Sequence, residues 1–326
     1  MTAATVVDTE FQAQVEPLRR ELITHCYRMV GSVHESEDLV QETYIRAWRA
    51  YQDFEGRSSI RTWMYRIATN VCLTALEQSQ RRPLPTGLGQ PNSDPKRELV
   101  ERAELPWLEP LPDAMVWGQP DPDPADAAVS KENIRLAFIA ALHHLTAQQR
   151  AVVILRDVLA WRAAEVATAL DISVAAVNST LQRARAQLAK LRAGEPVPLP
   201  DDDERKRELL ANYLAAFERF DVNRIVSLLT EDAVWEMPPF TGWYLGRADI
   251  GTLMNDHCPA EGPDDQRFLT TSANGQPVLA VYMRGEDGVH HPFQLQQLTL
   301  TERGIAHVTC YFDVSLFAAF GLPETV

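Results

Sequence analysis

The sequence predicts a multidomain protein in which two all-α domains precede an α+β domain, and three observations carry that expectation. Residues 11–82 and 130–192 space their apolar side chains at alternating steps of three and four, the period of helices that bury one face. Between them, ten prolines fall within residues 83–129, a density that blocks regular helix and strand. Residues 204–326 place two amphipathic helices before a series of strand-like runs, the order expected of helices on one face of an antiparallel sheet. At 326 residues and 45% hydrophobic content, the chain is long enough to build a separate core in each domain.

Residues 11–30 form one amphipathic stretch, which Gly31-Ser32 interrupts. The run 34–51 follows with Val40, Tyr44, Ala47 and Tyr51 on one face, leaving Asp38, Gln41, Glu42, Ile45 and Arg49 on others. After the polar loop D-F-E-G-R-S-S, a third helix starts near Ser59 and runs to about Gln80, with Ile60, Met64, Ile67, Val71 and Leu76 inward. Its outer side mixes Arg57, Arg61, Trp63, Tyr65, Arg66 and Asn70. Basic groups interleaved with aromatics can hold a phosphate backbone and stack on unpaired bases. The alternative is a solvated face with two aromatics turned into the core.

The Pro-rich segment 83–129 reads as a linker or irregular wrap, yet it carries Trp107, Leu108 and Trp117, which a purely flexible spacer does not need. It is therefore expected to dock on a domain surface or a partner. Ser130 to Leu142 reads as a helix leading into Thr146–Arg192, where two apolar-periodic helices flank a turn at Asp171-Ile172 and Ser173 is placed to cap the second. Val174, Val177, Leu181, Ala184, Leu188 and Leu191 make the buried stripe of that helix. Ser179, Gln182 and Arg183 face the other way, with Asn178 at the edge. A helix, a tight turn and a second helix whose exposed N-terminal half carries amide, hydroxyl and guanidinium groups is the layout of a helix-turn-helix that reads the DNA major groove.

A second linker, 193–203, has prolines and three aspartates that mark a boundary. Beyond it, two helices lead to a probable strand A-V-W-E-M, a loop rich in Pro, Gly and aromatics, and a helix from about Ala248 to His257. Three further strand-like runs follow, and the last, I-A-H-V-T-C-Y-F-D, alternates as a half-buried strand should. Trp235, Met237, Trp243, Tyr244 and Tyr282 could line an apolar cavity there, and Asp313, His257, His290 and His307 are the side chains able to act as a base in it. No pair among them has a spacing that sets mutual geometry, so no catalytic residues are assigned.

Charge is unevenly spread along a chain of net charge -14. Residues 130–192 carry 9 basic and 4 acidic side chains, whereas residues 193–326 carry 9 and 21 and residues 83–129 carry 3 and 9. Attraction to phosphate is thus local to the helix-turn-helix segment. The four cysteines, Cys26, Cys72, Cys258 and Cys310, form no C-x-x-C pair, which predicts no zinc or other metal site, no cofactor held by them, and a reducing cytoplasm. The N-terminus lacks the basic and apolar regions of a signal peptide and no long uncharged apolar run occurs, so no membrane association is expected.

Three strings, E-D-L-V-Q-E-T-Y-I-R-A-W at 37–48, R-S-S-I-R-T-W-M-Y-R-I-A-T-N at 57–70 and the 146–192 helix-turn-helix, together resemble an extracytoplasmic-function (ECF) sigma factor of bacterial RNA polymerase. Residues 204–326 are similar to SnoaL-like domains of the nuclear-transport-factor-two superfold, a cone-shaped α+β fold. The resemblance implies a region-two bundle over 1–82, an acidic linker over 83–129, a region-four helix-turn-helix over 130–192, and a fused SnoaL-like regulatory domain over 204–326. It implies core RNA polymerase and promoter DNA as partners. Asp38, Gln41, Glu42, Ile45 and Arg49 match the surface that docks on the clamp helices of the largest subunit. Trp63, Tyr65 and Asn70, with the basic residues Arg57, Arg61 and Arg66 around them, match the part that melts the -10 element. Asn178, Ser179, Gln182 and Arg183 match the positions that meet the -35 element, beside the polymerase flap. The linker occupies the place of the family segment that threads the polymerase active-site cleft.

Many family members carry a basic residue just before the recognition serine, whereas Asn178 stands here, so the preferred -35 bases do not transfer. Two other readings stay open: a one-component, ligand-responsive DNA-binding regulator, which leaves the 37–70 strings unexplained, and a small-molecule cyclase or isomerase fused to a DNA-binding module. An unknown small-molecule ligand of the C-terminal domain is compatible with all three.

Overall fold

The computed structural model describes residues 10–77, 81–117 and 132–326, so the later linker prolines and the start of the helix expected at Ser130 lie outside the described residues. The chain divides into two compact units: residues 1–82 with 113–193, and residues 83–112 with 194–326.

In the first unit, α1 (Arg19–Val30), α2 (Val33–Ala50) and α3 (Ile60–Glu77) pack together as a bundle. Every residue of α1 from Leu22 to Val30 is buried, which makes it the central helix. Gly31 ends it in the left-handed conformation that glycine adopts without steric cost (φ 74°). Ser32 then caps α2, its Oγ accepting from Glu35 N at 3.1 Å. The expected α3 stripe is rotated: Met64, Tyr65, Ala68, Val71 and Cys72 are the buried set, and Ile67 and Leu76 are only half-buried.

The second half of this unit contains α4 (Asp113–Val116), α5 (Leu136–Leu142), α6 (Ala147–Val153), α7 (Ala163–Leu170) and α8 (Val174–Leu191). Thr146 and Gln149 form a capping box at the start of α6. The first helix expected from the sequence is split in two. After α6 the chain makes a π-helical turn at Ile154–Val158 and breaks at Ala160, whose φ of 54° ends helical progress before α7.

The second unit is a six-stranded sheet of β1 (Leu229–Glu236), β2 (Trp243–Leu245), β3 (Gln266–Ala273), β4 (Gln276–Arg284), β5 (His290–Thr301) and β6 (Gly304–Tyr311). Its order is β2-β1-β6-β5-β4-β3. With α9 (Glu204–Glu218), α10 (Val222–Leu228) and α11 (Arg247–His257), it encloses a core that includes Tyr213, Phe217, Ile225, Trp235, Leu253 and Leu298. A short helix, α12 (Leu316–Ala319), follows β6.

Three sequence expectations change here. The sheet is mixed rather than antiparallel, because β1 pairs with β6, the strand most distant from it in sequence, and the two run parallel. β2 lies in what reads as loop, since three residues are too few to show alternation. β6 is covered on both faces: Thr309 and Tyr311, on the side expected to be solvated, are only 2% and 3% exposed.

Asn274-Gly275 joins β3 to β4 with φ of 54° and 70°, the two left-handed residues of a tight hairpin turn. Gly304, between β5 and β6, has φ 130°, and a Cβ there would sit 2.6 Å from the Leu228 carbonyl oxygen. Gly304→Ala should therefore lower the stability of the C-terminal unit by about 3 kcal/mol in denaturant unfolding, combining backbone strain with a backbone clash. A change under about 0.5 kcal/mol would refute that account.

Candidate nucleic-acid interfaces and cavity

The helix-turn-helix is built as its sequence expects at the turn itself. Asp171 is left-handed (φ 52°), Ile172 N bonds back to Ala167 O at 3.0 Å, and Ser173 Oγ accepts from Ala176 N at 3.1 Å. Val177, Thr180, Leu181, Ala184 and Leu188 of α8 are buried, which leaves Asn178, Ser179, Gln182 and Arg183 exposed on one side of the helix. Val174 and Leu191, expected in the stripe, are the first and last residues of α8 and are 44% and 38% exposed. An amide can bond an adenine edge in two places and a guanidinium a guanine edge. Arg185, in contrast, is clamped to Asp157 by bonds of 3.0 and 2.6 Å.

On α2, Asp38, Gln41, Ile45 and Arg49 are exposed, and Glu42 is half-buried with a 2.6 Å bond from Arg46. Trp48 joins them: it is 52% exposed, one turn from Ile45, which is 44% exposed. Two large apolar side chains thus lie side by side on an outward face of α2. The sequence reading left Trp48 out, although its i+3 relation to Ile45 was the available signal.

The six residues grouped along α3 separate. Arg57, Arg61, Arg66 and Asn70 are exposed, whereas Trp63 is half-buried against Phe54, with ring centroids 4.8 Å apart. Tyr65 is 2% exposed and belongs to the core, contrary to its expected outward position. It stands next to Met64 and one turn before Ala68 on the buried stripe, with its ring edge-on to His25 and its hydroxyl donating to Glu21 Oε2 at 3.0 Å. Burial and the Glu21 carboxylate push its phenol above the ordinary range. Arg61 completes the cluster, bonded to Glu21 at 2.7 Å and lying over the Tyr65 ring.

Two buried guanidinium groups join the α1–α3 bundle to the helix-turn-helix half of the same unit. Arg28 donates to Asn133 O at 3.1 Å, and Arg150 donates to Leu142 O and Leu145 O and also to Met29 O of α1. Burial draws both down to about 10, so both remain charged at neutral pH. The Tyr65 and Trp161 rings also meet edge-on across the two halves at 6.5 Å, while Arg82 bonds Glu35 at 2.8 Å within the first. Two histidines are buried in the same unit. His25, 2.9 Å from Thr69 Oγ1, is lowered to about 3 by burial and by Arg28. His143 is lowered well below the usual value by burial and then by Arg150, Arg82 and Arg81.

In the C-terminal unit, a cavity of about 280 Å³ lies among β1, β3, β5, α9 and α11. Trp235 and Met237 line it as expected, and so does His257. Trp243, Tyr244, Tyr282 and Asp313 are not among its lining residues. Trp243 donates its indole N–H to Gln90 O at 3.0 Å, the Tyr282 hydroxyl donates to Pro323 O at 2.9 Å, and Tyr244 is buried in the core. Asp313 accepts from Ser315 N and Oγ in a local turn. Sequence reading missed Gln266, Gln294 and Gln296 and the phenylalanines Phe217, Phe240, Phe293 and Phe312. The i, i+2 spacing of Gln294 and Gln296 on β5 was a signal that two amides share one face. No carboxylate lines the cavity, and His257 is tied to Pro95 O at 2.9 Å. Among the described residues, no group of three His, Cys, Asp or Glu side chains is placed to hold a metal ion, and no helix is long and apolar enough to cross a membrane.

The 83–112 segment is bonded into this unit along much of its length. Thr86 N donates to Glu236, Ser93 N to Trp243 O, Arg102 N to Pro239 O and Leu111 N to Asn274 Oδ1, while Thr241 N and Asn274 N donate back to Val100 O and Leu111 O. Glu236 is fully buried and also accepts from His307 at 2.7 Å and Thr309 at 3.4 Å. Leu108 and Leu111 are completely buried.

The Sigma-70 region 2 family matches residues 14–82, Sigma-70, region 4 matches residues 135–188, and the SnoaL-like domain matches residues 210–310. The ECF RNA polymerase sigma factor SigG of Mycobacterium tuberculosis is 55% identical over 320 residues, covering 97% of this chain and 85% of the relative. SigJ of the same organism is 30% identical over 238 residues, 72% of this chain and 66% of the relative. The crystal structure of Mycobacterium tuberculosis SigJ shares the fold, with a TM-score of 0.62 over 96% of this chain and 99% of that one at 22% identity.

Because His25 and His143 resist protonation when folded, acid favours unfolding: stability is full above about pH 6.5 and declines as pH falls through that value. Each histidine should contribute a loss of about 1.4 kcal/mol between pH 7.5 and 5.5. His143→Leu should remove about half of that loss in denaturant titrations at the two pH values, and an unchanged loss would count against the buried neutral state.

Proposed function

Because the chain belongs to the extracytoplasmic-function family of RNA polymerase sigma factors, we propose that its C-terminal domain regulates initiation in cis by holding the 83–112 segment. The protein itself is a non-enzymatic transcription initiation factor that binds core RNA polymerase and promoter DNA and directs initiation. It acts where the polymerase is, in the cytoplasm.

The regulatory reading rests on one observation: the connection between the two promoter-reading halves is hydrogen-bonded into the C-terminal unit from Thr86 to Leu111. A linker held there is not free to extend into the polymerase cleft. Release of the segment is then the step that the domain controls. The acidic composition of 193–326, 21 acidic against 9 basic side chains, also disfavours contact between this domain and DNA.

The finer assignments are those that the family resemblance implies, and exposure and chemistry support them. Asp38, Gln41, Glu42, Ile45 and Arg49, with Trp48, form the surface offered to the clamp helices, where an apolar pair ringed by charge suits a protein groove. Asn178, Ser179, Gln182 and Arg183 present the -35 reading groups beside the flap. Arg57, Arg61, Arg66 and Asn70 face the -10 region with Trp63 at their edge, and Tyr65 supports them from beneath by orienting Glu21 and Arg61.

Reconstituted run-off transcription tests both parts. An Asn178/Gln182/Arg183 triple alanine should lose promoter-directed initiation while still binding core polymerase; retained initiation would refute the groove-reading role. Deleting residues 195–326 should change promoter activity several-fold. Unchanged activity together with unchanged polymerase binding would overturn regulation in cis.

A further inference from the structure

Helix α8 carries three cations, Arg183, Arg185 and Lys190, and no acidic side chain. Among the described residues, Arg185 is the one of the three drawn into an ion pair: its Nε donates to Asp157 Oδ2 at 3.0 Å and its Nη2 to Asp157 Oδ1 at 2.6 Å, so both carboxylate oxygens are used. Arg183, two residues earlier, meets the Thr180 hydroxyl at 3.4 Å instead. Arg185 stands two helical turns beyond Asn178 and three residues beyond Gln182, so it borders the face that those two residues occupy. A guanidinium at that margin is placed where the phosphate backbone flanks a groove-bound helix.

Asp157 is not on α8. It belongs to the π-helical turn Ile154–Val158 that follows α6, and that turn is held in place: Leu159 N donates to Ile154 O at 2.9 Å, Trp161 N to Leu155 O at 2.9 Å, and the Arg156 side chain to Trp161 O. The carboxylate is therefore not free to follow the arginine outward. Its side chain is 29% exposed, against 59% for Arg185. Transfer of Arg185 to a phosphate would leave a largely sheltered carboxylate unpaired beside a second anion, which opposes the exchange. An ion pair with one partner this exposed adds little to stability, so folding alone does not account for the clamp.

We propose that Asp157 is a positioning residue for promoter reading: acting through Arg185, it withholds one guanidinium from the DNA backbone, so that α8 meets duplex DNA with one sequence-independent contact fewer. Phosphate contacts attract any sequence, whereas contacts to base edges discriminate. A chain that reaches promoters as part of a polymerase complex gains nothing from strong attraction to duplex by itself, because every non-promoter site then competes for it. This role rests on the reading of α8 as the -35 reader given above.

The test uses full-length protein assembled with core polymerase, on a promoter duplex that the complex selects from random-sequence DNA, with binding titrated between about 50 and 200 mM salt. Asp157→Asn keeps the shape of the side chain and removes its charge. It should tighten binding several-fold at the lower salt and steepen the slope of log K against log salt by about 0.9, the value of one added phosphate contact. The same gain should appear on a duplex whose -35 element is scrambled. Adding Arg185→Gln to Asp157→Asn should return the slope to the wild-type value, a reversal that loosening of the helix would not show. An unchanged slope in Asp157→Asn, or a double variant that keeps the steeper slope, would overturn the proposal, with thermal melts confirming that both variants fold. If the Asn178/Gln182/Arg183 triple alanine abolishes initiation while Asp157→Asn leaves the slope unchanged, the -35 reading stands and the withholding role falls. The opposite pattern would refute the reading and keep the withholding role on a helix that touches the backbone without reading bases.

Discussion

A backbone rich in proline still has carbonyls and N–H groups to satisfy, and here they are satisfied by a domain that lies far downstream in sequence. The 83–112 segment forms no helix longer than one 3-10 turn and only isolated bridges, at Glu101–Phe240 and Pro112–Ala273. It remains ordered because Glu236, Asn274 and the backbone around Pro239 and Trp243 supply its partners. Glu236 is the key acceptor. A fully buried carboxylate is tolerable only when several donors converge on it, and Thr86, Thr309 and His307 do so. The covering of the outer sheet face and the placement of Leu99 in the cavity wall accompany that anchorage.

The helical unit solves a related problem with cations. Among the described residues, Arg28 and Arg150 have no carboxylate among the hydrogen-bond partners of their side chains and donate to backbone carbonyls. Each such bond is charge-assisted and directional, so the two halves are held in one register rather than merely in contact. His143, buried beside Arg150, Arg82 and Arg81, is held well below the usual imidazole range by that burial and by those charges. The surfaces left outward are Ile45 and Trp48 on α2, the basic edge of α3 and the amide-rich face of α8.

Much of this was legible in the residues. Periodicity placed the three bundle helices, and the Asp171 turn with its Ser173 cap emerged from sequence chemistry alone. Periodicity was weaker at deciding which of two adjacent stripes faces inward, and Tyr65 shows why: an aromatic with a polar tip can be buried if one partner, here Glu21, reaches it. In the C-terminal domain, alternation identified strands but not the parallel β1–β6 pairing, which depends on contacts across seventy residues of chain. Trp235 on β1 and Met237 just past its end do line the cavity. Trp243, Tyr244 and Tyr282 were misplaced because aromatic character alone does not distinguish a cavity wall from a core or from an indole that holds a linker. The docking surface of the 83–112 segment carried no local signal, since its partners are set by tertiary structure.

The anchorage of that segment also has a consequence in time. Thr86 and its acceptor Glu236 are 150 residues apart, and Leu111 and Asn274 are 163 apart. On a ribosome adding about 5–20 residues per second, the segment waits on the order of 10 s before its docking surface exists. Both helical halves are complete within that interval. Each newly made molecule therefore passes through a stage in which both helical halves are present and the segment between them is not yet held, so the anchorage forms later than the helical parts that it connects.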